Sequence, residues 1–173
     1  MIKKNKPKMK TALLIIDVQN RYMGQVPQGD REKGIFFINL LIELFRKHDL
    51  PIIRIYHTNS ENGPRPDTEE FEYPSSINIR PEDTRVIKTY SNSFNKTSLN
   101  SILAEKGINT LFISGYSAVG CVLATFVGAM DNDYKPFLVK DAIMSHDSAY
   151  TKNIELMFDA VSYNVVDLVV ENS

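Results

Sequence analysis

The chain alternates short, uninterrupted apolar runs with longer stretches in which apolar residues recur every three or four positions. TALLIID (11–17) is a continuous apolar run closed by a carboxylate, the pattern of a parallel strand covered by helices on both faces. PIIRIYH (51–57), TRVIKTY (84–90), the run at 110–114 and PFLVKDA (136–142) read the same way. Between the first two lies VQNRYMGQVPQG, a loop carrying Gly24, Pro27 and Gly29. A helix follows it, capped by Asp30, with Phe37, Leu40, Leu41, Leu44 and Phe45 at helical spacing and Lys47 and His48 at its end. A second helix spans 98–106, with Leu99, Ile102 and Leu103 inward and Gly107 as its stop. A third opens at Cys121, and a fourth covers 148–162 with Ile154, Met157, Phe158 and Val161 on one face. NVVDLVV (164–170) then reads as a sixth strand.

Only 58–83 lacks a period, broken by Pro64, Pro66, Pro74 and Pro81. So long an excursion serves as a lid, a pocket wall or a subunit contact, or is a surface excursion held by a short helix around 68–71. Strands alternating with helices predict a three-layer α/β/α fold with a six-stranded, mainly parallel, Rossmann-like sheet. Sites in such sheets lie outside the carboxyl ends of the strands. Asp17, His57, Lys88 and the turn before Cys121 all fall at ends of that kind and are expected to converge.

Composition narrows the class. At 173 residues, 43% hydrophobic and 24% charged, the chain reads as one globular domain behind a basic, frayed tail at 1–10. Twenty basic against 21 acidic residues, a net charge of -1, give no electrostatic footprint for nucleic acid or an anionic membrane. One cysteine forbids an internal disulfide and fits a reducing compartment. The apolar run behind the basic opening is too short for a signal peptide, and no stretch reaches membrane-span length. A cytoplasmic protein acting on a small molecule is the expectation.

A thiol at the first turn of a helix meets the positive end of the dipole and unpaired amides, which favour the reactive thiolate. A nearby Lys88 acts in the same direction, and Asp17 could take the thiol proton and return it to a leaving group. Amides of the turn SGYSAVGC could hold an oxyanion, a device worth roughly 100- to 1000-fold in rate per donor. Acyl transfer from a small amide is what these parts support. Singly, each has a plainer role. A lone cysteine packs as a small hydrophobe, an aspartate at a strand end shapes a turn, and a strand lysine faces water.

LLIIDVQNRY, VIKTYSNSF and GINTLFISGYSAVGCVLATFVGAMDNDYKPFLVKDAIMS, in that order, make the chain resemble the isochorismatase-like cysteine hydrolases from about residue 11 to 170. That family includes nicotinamidases, N-carbamoylsarcosine amidohydrolases and isochorismatase. The resemblance implies a triad of Asp17 as general base, Lys88 as orienting cation and Cys121 as nucleophile. It also implies a cis peptide between Tyr116 and Ser117, an oxyanion hole from the amides of Ser117 and Cys121, and pocket positions at Gln19 and Phe94. From the residues themselves, Tyr22, Tyr116 and Phe94 either wall the pocket or simply pack, and His57 is either a pocket hydrogen-bond donor or an ordinary strand-end residue. By analogy the protein assembles as a dimer or tetramer.

Departures matter too. Nicotinamidases carry an Asp-x-His pair and a further histidine that bind a divalent metal. Here IYHTNSENG leaves His57 without a partner at ligand spacing, so neither metal nor other cofactor is expected. Gly120 replaces a branched or aromatic residue before the cysteine, and Arg21 follows the Gln–Asn pair where an acidic or small residue is common. Isochorismatases cleave a vinyl ether, which needs no thiol, so Cys121 favours C–N hydrolysis. Two alternatives stay open: vinyl-ether hydrolysis with Asp17 as acid, and a non-catalytic ligand-binding or thiol-sensing module.

Overall fold

A computed structural model describes residues 8–59 and 61–172. Most of the basic opening therefore lies outside the described residues. β1 (Thr11–Ile16) is flanked by β2 (Ile52–His57) and β4 (Thr110–Tyr116), with β3 (Thr84–Lys88) and β5 (Lys135–Met144) at the edges. Every pairing is parallel. The sheet therefore reverses its winding direction between β1 and β4, the point at which doubly wound folds open a crevice.

Side chains alternate across the sheet, and each face gathers its own helices. Leu13 and Ile15 pack with Ile38, Leu41 and Phe45 of α2 (Gln28–Lys47) and with Val166 and Val170 of α6 (Tyr163–Glu171). Ala12, Leu14 and Ile16 face the other layer: α3 (Leu99–Glu105), α4 (Leu123–Asp131) and α5 (Ser148–Met157), through Leu103, Phe126, Ala129 and Ile154. No described helix is long and apolar enough to cross a membrane.

Among the described residues the sheet has five strands rather than six. The run of branched residues at 164–170 is a helix, because Val166 and Val170 lie one turn apart and are the pair buried on the sheet. None of the predicted sixth strand pairs with the sheet; a single parallel bridge joins Val139 to Val161, just ahead of that run. That bridge needs an extended Val161, so α5 stops at Met157, which is 72% exposed instead of facing inward. Nor is the region after β1 all loop. Asn20–Met23 form a short helix (α1), and α2 starts at Gln28 with Asp30 inside its first turn.

The segment from 58 to 83 holds no helix at 68–71, only a turn closed by Phe71 N–H on the Thr68 carbonyl. Phe71, Tyr73 and Ile77 are buried in the core instead, and Tyr73 Oη lies 2.7 and 2.8 Å from the carbonyls of Ile15 and Ile55. Asn20 and Arg21 donate their amides to Glu72 and Glu70. This stretch is therefore built into the wall beside the end of β1.

Candidate active site

In an all-parallel sheet every carboxyl end points to the same edge, which gathers four of the residues marked in the sequence. Asp17 follows β1 in a left-handed turn (φ 52°) and is 1% exposed. His57 ends β2, and Lys88 ends β3 directly opposite it in the ladder. Cys121 comes after β4, beyond a cis Tyr116–Ser117 peptide. Lys88 has two strand spacings to cover, roughly 10 Å, before it can meet Asp17. Its long stem passes beside the intervening β2, and the ammonium arrives 2.7 Å from Asp17 Oδ2. Lys88 is itself 1% exposed, so the pair is sealed from water.

Three consequences follow for the charges. Among the described residues, buried Asp17 Oδ1 has no conventional N–H or O–H donor, and the side chain that hydrogen-bonds Asp17 besides Lys88 is the Cys121 thiol. Burial raises the Asp17 carboxyl above its ordinary 3.8, against the pull of Lys88. Burial, and after it the Asp17 carboxylate, also pushes the Cys121 thiol up from 9.0 to about 11, Lys88 opposing. The expectation of a resting thiolate is thereby reversed. Cys121 does not start a regular helix: it sits in a wide turn, 118–122, in which Gly120 is non-helical and Val122 N–H reaches back to the Ser117 carbonyl. α4 begins at Leu123, two residues after the thiol, and burial with the Asp17 carboxylate outweighs what its N-terminus offers the sulfur.

Iodoacetamide labelling of this single thiol is therefore expected to be still climbing with pH above the ordinary value of 9.0. Asp17→Asn should move the profile down and Lys88→Met should move it up, because the carboxylate raises the thiol and the ammonium lowers it. Profiles that stay in place in both variants would show that these groups do not sense one another, and shifts of the opposite sign would overturn the charges assigned to them.

His57 is half-buried, and burial with Lys88 pushes its ring down to about 4, so it is neutral near pH 7. By sequence spacing it stands alone, but the fold gives it neighbours. One carboxylate oxygen of Asp17, one ring nitrogen of His57 and Cys121 Sγ lie within 4.8 Å of one another. Three donors so close could approach a metal ion. Lys88 Nζ stands among them, 2.7 Å from Asp17 and 3.3 Å from His57 Nδ1.

The remaining marked residues lie around this cluster or behind it. Tyr22 and Tyr116 stack at 5.6 Å, and Tyr116 donates its hydroxyl to Gln25 Oε1. Phe94 packs in the same cluster as Cys121 and stacks on Tyr134. Ser117 lies at the cis bond, with its hydroxyl 3.4 Å from that of Ser145. Gln19 is fully buried, and its amide is spent on backbone groups of His57 and Phe71. Sequence reasoning missed Tyr73, Gln25 and Ser145. Tyr73 stands in the aperiodic stretch, and the other two carry no pattern of their own.

Comparison with known proteins gives this geometry a context. Residues 11–166 match the isochorismatase domain family. An uncharacterised isochorismatase family protein of Bacillus subtilis is 32% identical over 78% of this chain and 77% of its own. A putative isochorismatase of Burkholderia xenovorans superposes with a TM-score of 0.83 at 22% identity, covering 95% of this chain and 88% of that one. An N-carbamoylsarcosine amidase of Thermoplasma acidophilum gives 0.77 at 24% identity, covering 89% and 95%.

Proposed function

Since the chain belongs to the isochorismatase family, we propose that it is a metal-independent cysteine hydrolase cleaving the C–N bond of a small amide or carbamoyl compound through a thioester. The observation that carries this reading is the sealed Asp17–Lys88 pair beside Cys121, whose thiol hydrogen-bonds the Asp17 carboxylate. The likeness to an N-carbamoylsarcosine amidase supports the same class of bond. Lys88 Nζ already occupies Asp17 Oδ2 and His57 Nδ1, so an ion bound through those two atoms would have to displace a buried ammonium.

The thiol is protonated at rest, and attack is therefore coupled to its deprotonation. Cys121 Sγ bonds to the substrate carbonyl carbon while its proton passes to Asp17, whose raised basicity suits the task. Lys88 compensates the negative charge that Asp17 bears before transfer and that the oxygen bears after it, with amides of Ser117 and Cys121 as oxyanion donors. The C–N bond breaks as nitrogen takes the proton from Asp17, and ammonia or an amine leaves. Water then adds to the thioester, giving its proton to Asp17. Collapse releases the acid and returns the proton to sulfur. Ammonia release from a panel of simple carboxamides and N-carbamoyl amino acids, present in the wild type and absent in Cys121→Ala, tests the reading.

One observation favours a second reading. A carboxyl raised by burial also suits an acid, as in vinyl-ether hydrolysis with Cys121 as a bystander, and Cys121→Ala would then stay active.

A further inference from the structure

His57 has no part in the proton path above, yet it is held more firmly than a strand-end residue needs to be. Gln19 Oε1 accepts from the His57 amide at 2.8 Å, and Gln19 Nε2 donates to the His57 carbonyl at 3.0 Å. The same Nε2 donates to the Phe71 carbonyl at 2.9 Å, which ties this clamp to the built-in 58–83 wall. A completely buried side chain thus fixes both polar groups of one residue's backbone.

The held ring meets Lys88 Nζ through Nδ1 at 3.3 Å. An ammonium has hydrogens to give and no lone pair. Nδ1 is therefore the acceptor, and the neutral ring carries its hydrogen on Nε2. The strand order explains why such a contact exists. β2 lies between β3 and β1, so the Lys88 stem passes the end of β2 on its way to Asp17, and His57 is the residue at that end.

We propose that His57 is a positioning residue of this site: its Nδ1 holds the Lys88 ammonium on Asp17, and its Nε2–H remains as a fixed donor. Gln19 supports it from behind. The consequence for turnover rests on the cysteine-hydrolase reading, but the arrangement itself can be tested without any substrate.

Nitrogen-15 NMR of the imidazole in the full chain reads the tautomer directly. Near pH 7 the expected His57 signal is the neutral Nε2–H form, giving way to a mixture in Lys88→Met. An Nδ1–H form in the wild type, or no change in Lys88→Met, would overturn the proposal. Labelling of Cys121 with iodoacetamide at pH 8 provides the second readout. His57→Leu is expected to slow it by about tenfold, the scale of one hydrogen bond to a charged group. His57→Asn, whose side-chain oxygen falls near the position of Nδ1, should recover most of that loss. Equal rates in the two variants would exclude the acceptor role, with thermal unfolding confirming that both are folded. Absence of ammonia release from every carboxamide tried would instead count against the hydrolase reading and leave the tautomer result standing.

Discussion

Cys121→Ala is expected to lower ammonia release by about 10⁴-fold or more, the scale on which enzymes lose turnover when a covalent nucleophile is removed. The fold should not suffer. Cys121 is partly exposed and makes no disulfide, so losing one sulfur atom costs about 1 kcal/mol or less. Cys121→Ser should be nearly as inactive. A hydroxyl is a far weaker acid than even this raised thiol, and Asp17 alone is a poor base for it. Chemical denaturation run beside the assay separates the cases: inactive and stable supports a nucleophile, whereas inactive and unfolded would mean a packing residue. Activity retained by Cys121→Ala would place Asp17 at the centre as an acid and remove the thioester.

The second large effect falls on stability. Lys88→Met leaves a buried Asp17 without its cation, and breaking a sealed pair from one side costs roughly 3–5 kcal/mol. The loss should be larger at pH 8 than at pH 5. Asp17 already has a raised pKa with Lys88 present, and removing the ammonium takes away an influence that lowers it, so the lone carboxyl takes up a proton as pH falls. The double variant Asp17→Asn/Lys88→Met should recover at least half of what Lys88→Met loses, because neither charge then remains buried alone. Urea denaturation at both pH values decides it. A double variant that loses the full sum of the single losses would show that the two residues act independently.

These expectations show how far the sequence could be read. Asp17, His57, Lys88 and the Cys121 turn could be marked because a parallel strand declares its end by the first polar residue after an apolar run, and all such ends share one edge. Strand order is not written in the same way. Nothing in IYHTNS or IKTYSN says that β2 lies between β3 and β1, and the contact between Lys88 and His57 exists only because it does. The thiol was misread for a related reason. A helix dipole can be inferred from a turn followed by apolar spacing, but the depth of Cys121 and its distance from the Asp17 carboxylate belong to the tertiary structure. At the far end, Val165, Val166, Val169 and Val170 suit a strand by residue type and a helix by spacing, and packing on the sheet chose the helix. Tyr73 was out of reach, since its role beneath β1 and β2 depends on a segment without any period.

The central claim is that a bond forms between Cys121 and the substrate carbonyl carbon. Its most direct measurement is intact-mass spectrometry of enzyme quenched in acid during turnover of the most active carboxamide or N-carbamoyl amino acid, followed by peptide mapping. The account predicts a mass increase equal to the acyl or carbamoyl fragment on the peptide containing Cys121, lost again when substrate is exhausted. Steady ammonia release with an unmodified Cys121 throughout, in an enzyme whose Cys121→Ala variant still turns over, would contradict it.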